Sequence, residues 1–174
     1  MISLNLDKLV IYYYERFLEM VRSEWYEKVA GKAEHLVYLD SKAKELEKLF
    51  KNEKTMIIRG AAGKKVPLGG RVKIDDVLYF VETGGSCYVV ARAIVKNVIE
   101  TDKMTSEESV LFVDKYEKEL NLSKDQYKRW AGKKFLCLVE IDKMEMIEQF
   151  KYDRQKNMDD WVITDDISKI AIKD

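Results

Sequence analysis

Apolar residues recur at three- and four-residue spacing at Leu6, Leu9, Val10, Tyr13, Phe17, Met20 and Val21, which is the period of a helix with one buried face. Gly31 ends this helical region, which also holds Trp25 and Tyr26. A short apolar strand follows at residues 36–39. Ser41 is placed to cap a second helix that turns Ala43, Leu46, Leu49 and Phe50 inward and Lys42, Lys44, Glu45, Glu47 and Lys48 to water, and Asn52 closes it. The pattern then changes to strands. Residues 56–58, 77–81, 88–99 and 135–141 are rich in β-branched and aromatic side chains, with 144–147 as a further short run. Gly84 and Gly85 signal a hairpin between the second and third of these runs. Thr105 with Glu108, and Ser123 with Gln126, have capping-box spacing, so helices are expected from Ser106 to about Leu120 and from Ser123 to near Trp130. Residues 160–172 offer a last edge strand.

This order of elements predicts an α+β fold in which a small, mostly antiparallel sheet curls into a β-barrel with flanking helices. The chain divides into an N-terminal helical extension (1–33), a main domain (34–150) and a C-terminal tail (151–174). At 174 residues, 47% hydrophobic and 36% charged, it suits one globular core. No apolar run approaches bilayer-spanning length, and the N-terminus lacks a basic start and a small-residue cleavage site, so a cytoplasmic protein without a membrane partner is expected. Cys87 and Cys137 lie singly in strand-like runs and read as buried thiols; His35 is the only histidine. That inventory argues against a zinc site or a Ser/His/Asp triad, and neither a metal nor a cofactor is expected.

A formal net charge of +0 gives the whole molecule no general attraction for nucleic acid, so any such binding needs local segregation of charge. One stretch provides it. From residue 54 to 73 the chain carries Lys54, Arg59, Lys64, Lys65, Arg71 and Lys73 without a single Asp or Glu, in company with Gly60, Gly63, Pro67, Gly69 and Gly70. Flexible ammonium groups can neutralise phosphates, while an arginine on a strand offers a planar fork to a phosphate or a base edge. The candidate cleft therefore centres on Lys54, Thr55 and Arg59, with the basic loop as a further contact set; a solvated basic loop without ligand is the competing reading. Trp130, between Lys128–Arg129 and Lys133–Lys134, either stacks a base or closes a core at a helix end.

His-Leu-Val-Tyr-Leu-Asp at 35–40, the charged helix after it, and Asn-Glu-Lys-Thr-Met-Ile-Ile-Arg-Gly at 52–60 resemble the opening strand, helix and Lys-Thr-x-x-x-Arg signature of ASCH domains in the PUA-like superfamily. Asp75-Asp76 stands in for the turn that follows in that family, and Ala91-Arg92-Ala93-Ile94-Val95 for its next strand pattern. The resemblance spans residues 35–150 and implies an RNA-related role, since PUA-like domains commonly bind RNA or recognise modified bases. It also implies an enzymatic alternative, because one ASCH branch hydrolyses the amide of acetylated cytidine with the signature lysine, a threonine three residues on, and a carboxylate. Lys54 matches the lysine, Ile57 stands in place of the threonine, and Glu82 and Glu119 are the candidate carboxylates. Three readings follow: an RNA- or nucleotide-binding module using Lys54, Thr55, Arg59, Lys64, Lys65, Arg71 and Lys73; a hydrolase, amidohydrolase or nuclease-like, acting on a modified nucleoside or RNA with Lys54 at its centre; and an interaction domain forming a homodimer through the N-terminal helix.

On the first reading, RNA affinity falls steeply with salt because each neutralised phosphate releases counterions. Replacing Lys64 and Lys65 together by alanine should flatten the log–log salt slope by about 1 to 2 units, measured by fluorescence anisotropy of labelled RNA. An unchanged slope removes both lysines from the phosphate contacts.

Overall fold

A computed structural model describes residues 26, 28, 30–62 and 67–172, so most of the expected N-terminal helix, together with Lys64 and Lys65, lies outside the described residues. Six strands form one sheet: β1 (Glu34–Leu39), β2 (Met56–Ala61), β3 (Val77–Glu82), β4 (Tyr88–Glu100), β5 (Phe135–Lys151) and β6 (Trp161–Thr164), in the order β2-β5-β4-β3-β1-β6. β1 and β3 pair in parallel, and the other four pairings are antiparallel. β2 and β6 end the sheet without pairing to each other, so the expected barrel is a half-barrel with an open seam.

Period-two alternation sorts the side chains. Ile57, Leu78, Phe80, Ala91, Ala93, Cys137 and Val139 fill the concave interior, while Tyr79, Val81, Val89 and Leu36 pack on the opposite face. Met56, Ile58, Leu136 and Leu138 form a third cluster under the helices. β1 and β3 are covered on both faces, which is why they read as continuous apolar runs. β5 is a single 17-residue strand that absorbs the separate run expected at 144–147. Register shifts between Val89 and Ala91, Arg92 and Ile94, and Val95 and Asn97 let β4 bend along it.

The helices depart from expectation where local hydrogen bonds intervene. Asp40 accepts from the amides of Lys42 and Ala43, holding residues 41–44 in turns, and α1 (Glu45–Phe50) starts only after Lys44, whose φ is 54°. Ser41 does not cap it; its amide donates to Thr83 Oγ1 at 3.1 Å and ties the turn to the end of β3. Glu45, expected in water, is buried. The long helix over 106–120 breaks at Tyr116 into α2 (Ser106–Lys115) and α3 (Glu117–Leu120). α4 (Lys124–Trp130) follows, and both capping boxes form. β6 is an edge strand on β1, so the tail completes the sheet. Cys137 is fully buried, whereas Cys87 is only half-buried. No helix among the described residues is long and apolar enough to cross a membrane. Before β1, the Tyr26 hydroxyl donates to Glu34 Oε1 at 2.7 Å while the Arg92 guanidinium lies 3.7 Å above its ring, which seats Tyr26 against the cluster on the outer face of the sheet.

One polar chain crosses the interior. The Trp161 indole N–H donates to His35 Nδ1 at 3.1 Å, and His35 Nε2 lies 2.9 Å from Asp76 Oδ2, which also accepts from the Lys73 amide at 2.8 Å. An indole can only donate, so Nδ1 carries no proton, Nε2–H donates to Asp76, and the imidazole is neutral. Burial draws the His35 pKa below its ordinary value, against the opposing pull of Asp76, and Arg71 adds to the lowering.

The native state therefore binds fewer protons than the unfolded chain, and the stability from neutral His35 is complete above about pH 6.5 and is lost as pH falls below it. The Tm should drop between about pH 7.5 and 5.5. His35→Gln should melt lower than wild type but with a flatter profile over that interval, since His35 is the only histidine. Circular dichroism melts decide it, and a flat wild-type profile rejects the neutral, titrating His35.

Candidate functional site

The signature residues do not share one cavity. Lys54, just before β2, has a side chain with no exposed surface; its Nζ lies 3.2 Å from Glu45 Oε1 and donates to the Leu120 carbonyl. It thereby joins α1, the start of β2 and the end of α3. Burial draws its pKa down while Glu45 opposes, and Lys48 and Arg59 add to the lowering. Thr55 contributes backbone: its amide donates to the Glu119 carbonyl at 2.9 Å and its carbonyl accepts from the Ile141 amide at 3.0 Å. Neither Glu82 nor Glu119 is the partner of Lys54; that carboxylate is Glu45, and Ile57 is fully buried in the interior.

Arg59 shares the inward face of β2 with Ile57 and reaches across the open seam. Its Nη2 donates to the Tyr38 carbonyl on β1 at 2.7 Å and its Nη1 to the Ile58 carbonyl at 2.8 Å. The guanidinium carbon lies 5.4 Å from the centre of the Trp161 ring. Nε is 3.2 Å from Asp160 Oδ2, close enough for charge attraction, yet it is buried without an aligned hydrogen-bond acceptor. Burial draws the Arg59 pKa down, with Asp160 and Glu45 opposing, and a guanidinium keeps its charge in proteins.

Beside this clasp the seam widens into a cleft of about 460 Å³, within the range of small-ligand sites. β2 supplies Arg59 and Gly60, the turn Pro67–Gly70 supplies Leu68, the end of α4 supplies Arg129 and Trp130, and the turn after it supplies Lys133. Met158, Asp159 and Asp160 form the far lip. Gly60 sits at a close approach: a Cβ there would lie 3.0 Å from Leu136 Cδ2, 3.1 Å from Trp130 Cε3 and 3.2 Å from Lys133 Cγ, so those side chains would have to shift to admit one. Trp130 packs in the core under the helices and presents only part of its ring, over which the Arg129 guanidinium lies at 4.5 Å. Arg129 Nη2 is 3.6 Å from Asp160 Oδ2, so one carboxylate bridges two arginines.

The two basic clusters legible in sequence thus meet: Arg59 from the first faces Arg129 and Lys133 from the second. Arg71 and Lys73 are exposed on the approach to β3, and Lys54 and Thr55 do not line the cleft. Sequence reasoning missed Glu45, assigned to water by helix periodicity, and the lip at 158–160, which nothing in local spacing links to β2.

No family model and no curated protein matches the chain. Among solved structures, two crystal structures of single-residue mutants of the ASCH protein from Zymomonas mobilis align with it, each at a TM-score of 0.53. They are 16% and 13% identical, covering 75% and 78% of this chain and 88% and 89% of theirs. At such identity the likeness is one of fold: the chain has the α+β fold of these ASCH structures.

The buried pair has a direct energetic consequence. Glu45→Ala should cost about 3 to 5 kcal/mol in urea denaturation, because it leaves the Lys54 ammonium enclosed without its carboxylate. Lys54→Met combined with Glu45→Leu should recover much of that loss, since apolar replacement of both partners leaves no unpaired charge. A double variant as unstable as Glu45→Ala alone would show that the pair does not set the cost.

Proposed function

We propose that the chain is a cytoplasmic RNA- or nucleotide-binding module whose ligand enters the seam cleft, with a base, including a modified one, held in the cleft and phosphates on its basic rim. The observation that carries this reading is the convergence of Arg59, Arg129 and Lys133, from two separate elements, on a 460 Å³ cleft at the open edge of an ASCH-type fold. The stretch from Lys54 to Lys73 carries no acidic residue, and its Arg71 and Lys73 are exposed and available to phosphates. Fold likeness enters only as analogy, because function resides in sites rather than folds.

Hydrolysis of an acylated nucleoside is the weaker reading. It needs Lys54 at the substrate, and that ammonium is enclosed by Glu45 and the Leu120 carbonyl, with Ile57 buried in place of a hydroxyl. Lys54 acts on this account as a structural cation.

Single-stranded RNA should bind saturably at low salt. Arg129→Ala and Lys133→Ala should each weaken binding about uniformly across sequences and lower the salt slope by roughly 0.7 to 1, read by anisotropy at several potassium chloride concentrations. Failure of the wild-type protein to bind any of a panel of single-stranded RNAs or nucleotides at low salt would sink the reading.

A further inference from the structure

We infer that Arg59 and Arg129 form a phosphate-binding subsite in the cleft, and that Asp160 is its internal occupant, displaced when a ligand phosphate arrives. The inference rests on the cleft being a ligand site and adds which group of the ligand is received, and by what exchange.

Three observations support it. Asp160 Oδ2 lies between the two guanidinium groups, 3.2 Å from Arg59 Nε and 3.6 Å from Arg129 Nη2, where an anionic oxygen of a ligand would sit. The carboxylate fills this place poorly, because Arg59 Nε is buried and donates to nothing despite its closeness. A tetrahedral phosphate, with oxygens in several directions, can accept from Nε and from Arg129 together. The Arg59 fork is already fixed by the Tyr38 and Ile58 carbonyls and by the Trp161 ring, so binding has little to order.

The occupant is also built to leave. Asp160 is anchored by its backbone, whose carbonyl accepts from the Tyr38 amide at 3.0 Å, while its side chain is 45% exposed. Rotation about its own side-chain bonds carries the carboxylate into water without moving β6. Asp159, exposed on the same lip and carrying the same charge, serves as an internal control.

The test uses the full chain, with inorganic pyrophosphate and a single-stranded RNA oligomer as separate probes. Because Arg59 Nε–H is buried, its proton is observable by NMR in wild type, and each probe should move it downfield as a hydrogen bond forms. By titration calorimetry, Asp160→Asn should bind pyrophosphate about fivefold more tightly than wild type, and Asp159→Asn less than about twofold. If Asp160→Asn does not fold, Asp160→Ser tests the same loss of charge. Equal gains from the two lip variants would reduce the effect to general electrostatics and overturn the subsite, as would an Arg59 resonance indifferent to both probes. RNA binding with a static Arg59 resonance leaves the RNA reading standing while this inference falls. A response to pyrophosphate alone, without RNA binding, keeps the subsite and assigns it to free phosphate compounds.

Discussion

The half-barrel depends on one side chain to span the gap that its hydrogen-bond ladder leaves open. β2 and β6 terminate the sheet unpaired, and Arg59 joins them by donating to the β1 carbonyl of Tyr38, attracting Asp160 and lying against Trp161. Lysine could not do this, since a single ammonium lacks a planar fork with donors pointing in divergent directions. The clasp fixes the distance between β2 and the segment leading into β6, and that distance is the width of the cleft. Gly60 then lets Trp130 and Lys133 close the cleft from the helical side, because no side chain intervenes.

The acid-free stretch divides its cations between two jobs. Lys54 and Arg59 are buried and partnered, each joining separate elements, while Arg71 and Lys73 remain in solvent. Counting charge along the chain therefore overstates the capacity for phosphate. The cleft itself sets Arg59, Arg129 and Lys133 against Asp159 and Asp160, which leaves a small positive excess.

Much of the sheet was legible because its strands are buried on one or both faces and carry the β-branched and aromatic runs that such positions favour; both capping boxes were legible because they are local chemistry. What escaped was set by contacts distant in sequence. The start of α1 was misplaced because Asp40 captures the amides that Ser41 was expected to serve, and Glu45 was sent to water because periodicity cannot know that Lys54 lies beneath it. The open seam was invisible, since closure depends on how far a sheet curls rather than on any residue pattern. Of the site, Arg59 and the Trp130 cluster were each recognisable alone; that they face one another, with Asp160 between, is a product of the fold.

The bond between Trp161 and His35 joins residues 126 apart in sequence, and the strand that begins with this tryptophan is the last of the six. During synthesis β1 must wait for it with one edge uncovered, a slow and association-prone stage typical of long-range pairing. Trp161 is also the ring beneath Arg59, and the residues just before it, Met158 to Asp160, form the lip of the cleft. A nascent or clipped chain lacking them has neither a finished interior nor a complete cavity, so assembly of the cleft and completion of the fold are one event.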